Sequence, residues 1–141
     1  MSKSQKKESE WKSKYLRALA DYQNLLKRFD QERVRIREEA IAEVLLPFLE
    51  VYEDIERAES FVKDEGLRLV KEKFEKVMRM FGVSEIELEG KEFDPEKAEV
   101  VDVRPAEKKE EENKISKVYK KAYRLKDRIL QVGKVQVKRK S

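Results

Sequence analysis

GLRLVKEKFEKVMRMFGVSEIELEG, residues 66–90, holds the change of period on which the fold turns. Up to Phe81 the apolar residues fall at helical spacing, with Leu67, Val70, Phe74, Val77, Met78 and Phe81 on one face. Past Gly82 the helical period gives way to the short β-branched and aliphatic spacing of Val83, Ile86 and Leu88. A glycine between the two patterns can take the left-handed conformation that closes a helix. The stretch predicts a helix to Phe81 and strands from Val83.

Downstream, Val100, Val101 and Val103 precede Pro105, and Ile115, Val118, Tyr119 and Tyr123 follow. Ile129, Leu130, Val132, Val135 and Val137 complete the set, with KVQVK at 134–138 alternating cleanly. Such runs, separated by glycine, proline and charged turns, predict a small all-β domain over 83–141. EKKEEENK at 107–114 is too polar to pack and is expected as an exposed loop.

Upstream lies a long helical pattern. Tyr15, Tyr22, Phe29 and Ile36 stand seven apart, with Trp11, Ala18 and Leu25 between them. That rhythm keeps one narrow stripe toward a partner helix. Glu32 breaks the stripe, and past Ile36 the phase slips to a second series containing Leu45, Phe48, Tyr52 and Ile55. No glycine or proline lies between 11 and 46, so one helix is expected through the slip, with a kink at Pro47. Residues 11 to 62 would make a rod of roughly 78 Å with no core of its own. The economical inference is a homodimer in which these residues form the seam. Two copies of the helix near 66–81 would then complete a four-helix bundle. The expected fold class is α+β, with a helical dimerisation stalk over 1–82 and a β domain over 83–141.

The composition agrees and narrows the chemistry. Of 141 residues 45% are charged, which alone suggests disorder, but the net charge is only +4 and the apolar residues are periodic. Charge is segregated: residues 1–37 net +6, 38–60 net −7, 61–105 net −3 and 106–141 net +8. With no cysteine and no histidine, disulfides, thiolate nucleophiles, Cys/His zinc sites and imidazole acid–base catalysis are excluded. The four glycines form no phosphate-cradling motif, and the Glu38–Glu39 and Glu110–Glu112 carboxylates read as solvated surface. No catalytic residue, metal site or cofactor is expected. MSKSQKKESEWKSK lacks the apolar stretch of a signal peptide, and no run is apolar enough to cross a membrane, so a cytoplasmic protein is expected. Function must lie in binding another macromolecule. A dimeric nucleic-acid-binding protein with a basic β module is one reading, although the β region lacks interleaved aromatics around its late Tyr119 and Tyr123.

Three segments resemble the GrpE family, nucleotide exchange factors of DnaK-type chaperones. The first runs from Leu16-Arg17-Ala18 through Asn24 to Lys27-Arg28. The second is LLPFLEVYEDIERA at 45–58, followed by Glu65-Gly66 and Phe81-Gly82-Val83. The third joins Phe93-Asp94-Pro95, KAYRLKDR at 121–128 and Val135-Gln136-Val137. The sequence departs from the family pattern at Ala98, Ala122 and Gln131. The resemblance implies a homodimeric co-chaperone, not an enzyme, that binds a DnaK-type ATPase domain, opens its nucleotide cleft and releases ADP. It implies no nucleic-acid or membrane partner. Carried over by motif, Arg128, Lys126, Pro95 and Val137 in the β domain and Asn24, Lys27 and Arg28 in the helix would contact the chaperone. It also implies that the helices lose exchange activity on heating.

Overall fold

Two helices precede six strands in the computed structural model, which describes residues 2–140. Helix α1 spans Lys3–Phe61 and α2 spans Glu65–Met80. The strands are β1 (Val83–Ile86), β2 (Ala98–Pro105), β3 (Lys114–Lys120), β4 (Ala122–Leu125), β5 (Arg128–Gln131) and β6 (Gly133–Arg139). The α+β order and the switch at Gly82 are as the sequence predicts. By packing, the chain divides into two units, Met1–Ile41 and Ala42–Ser141.

From Lys3 onward the first unit is α1 alone. Residues 2–37 are all exposed, including Trp11 at 69% and Phe29 at 62%. What holds it within one chain is local: backbone bonds, and pairs such as Arg35 with Glu32 at 2.7 Å and Glu39 at 3.0 Å. Exposed pairs at this spacing contribute only about 0.2–0.5 kcal/mol each.

In the second unit α1 continues through Pro47, and Ala42, Leu45, Leu49 and Tyr52 are buried. Their three–four–three spacing defines one face. The Asp64 carboxylate accepts the Gly66 N–H at 2.8 Å, satisfying a donor that the start of α2 would otherwise leave free. The Phe74 ring of α2 stacks on Tyr52 with centroids 5.8 Å apart, and Met78 is buried one turn further on. Gly82 ends the helical part at φ +90°, and its carbonyl accepts the Lys126 N–H at 2.9 Å.

The strands form two sheets of three, ordered β1-β4-β5 and β2-β6-β3. The first is antiparallel; in the second β6 runs parallel to β2 and antiparallel to β3. Central β6 alternates as KVQVK predicts, with Val135 and Val137 fully buried. They join Leu88, Ala98, Ile115 and Ala122 in one core. Ala98 and Ala122, two of the departures from the family pattern, are thus core-filling residues. The Val100–Val103 run does not pack whole. Val101 and Val103 are half exposed, and the pairing of β2 with β6 shifts register between Val100 and Asp102. Residues 107–113 form the expected loop, with one 3-10 turn at Lys109–Glu111.

Candidate functional site

The β4–β5 hairpin carries the two basic residues singled out by motif. Leu125 pairs with Arg128, so Lys126 and Asp127 are its two turn residues, and Lys126 takes φ 52°. Both Lys126 and Arg128 are exposed, and neither enters an ion pair among the described residues. The Lys126 stem is seated: a Cβ at Gly82 would come within 2.9 Å of its Cγ. The turn is therefore anchored against the end of α2, with its charges facing water.

Pro95 lies on a different turn. The Asp94 carbonyl accepts the Lys97 N–H at 3.0 Å, and the Asp94 side chain accepts the Glu96 N–H at 3.0 Å. Pro95 occupies the position where a fixed φ suits such a turn, and it is exposed. Val137 differs: it is fully buried in the core, so its part is to hold the strand rather than to touch a partner. Asn24, Lys27 and Arg28 are exposed on α1 in the first unit.

The dimer-seam series divides in the same way. Trp11, Tyr15, Ala18, Tyr22, Leu25, Phe29 and Ile36 are exposed in the single chain and free to meet a second copy. Leu45 and Tyr52 do not belong with them. They are 5% and 8% exposed, packed inside their own chain, while Phe48 between them is 51% exposed. On α1 within the second unit Val44, Phe48 and Val51 form an exposed apolar stripe, with Ile55 half buried beside it.

Polar contacts that the sequence left hidden join α1 to the β strands. Lys121 reaches Glu56 at 2.8 Å and Glu85 at 3.1 Å. Burial alone would lower its pKa, but the hydrogen bonds and charges of those two carboxylates outweigh it and raise it. Gln131, the third departure from the family pattern, donates to Glu53 at 2.8 Å and to the Lys121 carbonyl at 3.0 Å. Tyr52 donates to Glu75. On the second sheet Asp102 accepts from Gln136 at 2.6 Å and Tyr119 at 3.1 Å, and its carboxyl is held below the usual range chiefly by the Gln136 bond. None of these contacts has a signal in spacing, because each joins elements distant in sequence.

The +8 of residues 106–141 is offset by −5 over 83–105, leaving the β domain at +3. Its positive character is a local feature of exposed positions such as Lys126 and Arg128. Among the described residues no group of acidic side chains could hold a metal ion, and no helix is long and apolar enough to cross a membrane.

A helix with an exposed apolar stripe, followed by a β module displaying a basic turn, defines a protein whose prominent features are binding surfaces. The chain belongs to the GrpE family, whose model matches residues 1–139. It is 31% identical over 132 residues to Protein GrpE of Thermus thermophilus, covering 89% of this chain and 72% of that one. It is 37% identical over 148 residues to Protein GrpE of Nitratiruptor, covering 94% and 81%, and 34% identical over 134 residues to that of Methanothermobacter thermautotrophicus, covering 94% and 76%.

Proposed function

We propose that this protein is a homodimeric nucleotide exchange factor for a DnaK-type chaperone. Its β module binds the chaperone's ATPase domain, favours the open nucleotide cleft and so accelerates ADP release. The observation that carries the reading is Arg128: it matches the family's motif arginine and stands exposed without an ion pair among the described residues, beside an anchored turn. A guanidinium held there offers paired N–H donors to a carboxylate of a partner.

No catalytic group is required. A binder that prefers the open cleft shifts the chaperone's equilibrium by the ratio of its affinities for the two states. By linkage, nucleotide and exchange factor weaken each other's binding equally. Two copies would pair through exposed apolar positions of each unit: those from Trp11 to Phe29 in the first, and Val44, Phe48 and Val51 in the second.

The test is release of labelled ADP from a DnaK-type chaperone in the presence of the protein. The expected result is acceleration that saturates with protein and falls about tenfold or more in Arg128→Ala, the size of one lost charge-assisted contact. Absence of acceleration at saturating protein would sink the proposal. An unchanged rate in Arg128→Ala would remove that residue from the interface.

A further inference from the structure

Within the second unit a cavity of about 420 Å³ lies between α1, α2 and the β1–β4 strands. Its size is in the range of small-molecule sites and far exceeds the ~30 Å³ share of one water. Leu49, Met78 and Val83 give it apolar surface, and Glu75, Glu85 and Tyr123 are among the polar residues lining it. Tyr123 is 5% exposed, yet its hydroxyl has no hydrogen-bond partner among the described residues. Leaving such a group unpaired costs about 1–3 kcal/mol, so an unpaired one calls for an explanation.

The surrounding charges select the kind of molecule that would supply one. Burial first, then the carboxylates of Glu56, Glu85, Glu53 and Glu75, raise the Tyr123 pKa above its ordinary value. The hydroxyl stays protonated in a region of negative potential. Of the lining cations, Lys121 is held by Glu56 and Glu85, and Lys71 by Glu59 at 2.7 Å, while Arg79 is exposed. Glu75 accepts from Tyr52 and enters no ion pair among the described residues. An anion would meet this field unfavourably, and a neutral apolar molecule would leave the hydroxyl as it is. An ammonium group on a short alkyl stem fits both needs: its N–H donors suit Glu75 and the Tyr123 oxygen, and its methylenes suit Leu49 and Met78.

We propose that this cavity binds a small primary alkylammonium ion, with Glu75 and Tyr123 receiving the head group. The site lies apart from Arg128 and is independent of the exchange reading. The experiment titrates the full chain, carbon-13 labelled on its tyrosine rings, with 1,4-diaminobutane at constant ionic strength. Tyr52 and Tyr123 should shift saturably, while Tyr15, Tyr22 and Tyr119, which lie outside the cavity, stay in place. Glu75→Gln should weaken binding at least tenfold with an unchanged circular dichroism spectrum, and Tyr123→Phe should weaken it as well. A non-saturating shift, an equal response to 1,4-butanediol or sodium chloride, or wild-type affinity in Glu75→Gln would overturn the proposal. Each of those results would assign the cavity to hydration only.

Discussion

A Cβ added at Gly133 would lie 2.5 Å from Leu88 Cδ1, 2.9 Å from the Lys120 carbonyl oxygen and 3.4 Å from Ala122 Cβ. Leu88 could rotate away, but the backbone carbonyl of β3 cannot move without disturbing the β3–β6 ladder. Ala122, where the family pattern has glycine, already fills the space beside it. Gly133→Ala is therefore expected to destabilise the β module by about 2 kcal/mol, within the usual range for overpacking. The midpoint of urea unfolding, followed on the β module's own signal, checks this. At the same scale, Val137 shows how a residue picked by motif can serve the fold: with no exposed surface, it acts through the strand it anchors.

Along α1, neighbouring residues serve opposite faces. Leu45, Leu49 and Tyr52 pack inward, while Val44, Phe48 and Val51 face out. The sequence reading assigns Leu45 and Tyr52 to the seam because it takes the whole second series, Leu45, Phe48, Tyr52 and Ile55, as facing a partner helix. Past the slip the outward apolar positions are Val44, Phe48 and Val51, four and three apart. Two substitutions separate the faces. Leu45→Ala should cost about 2–5 kcal/mol of folding stability, as for other buried leucines. Phe48→Glu should leave the single-chain fold intact but lower the dimer fraction measured by sedimentation at micromolar concentration. A dimer unaffected by Phe48→Glu would remove this stripe from the interface.

For the molecule as a whole, stability is unevenly supplied. Residues 2–37 bury no side chain within their own chain, whereas Ile115, Val135 and Val137 are 2% exposed or less. A helix of that kind depends on association, so its melting should move with protein concentration. The β core closes within one chain, and its transition should not. We expect a lower, concentration-dependent helical transition and a higher, concentration-independent one, read by calorimetry alongside far-ultraviolet circular dichroism. Exchange activity should fall with the first transition, in line with the heat response that the family resemblance implies. One coincident transition, or β melting first, would refute this order.

Sequence by itself determined the order of elements, because helical and strand periods are local and Gly82 separates them. It determined the central role of β6, since a two-residue alternation fixes which side chains enter a core. It also picked out Lys126 and Arg128 together through a recognisable motif, and they stand in the β4–β5 turn and at the start of β5. Only the tertiary structure decided which face of α1 Leu45 and Tyr52 serve, because a helix 59 residues long can bury different stripes at different points. Only the tertiary structure joined Lys121 to Glu56 and Gln131 to Glu53, pairs 65 and 78 residues apart. It alone enclosed the Tyr123 hydroxyl beside a cavity. Periodicity reports how a segment faces its surroundings; which groups come to surround it depends on packing between elements far apart along the chain.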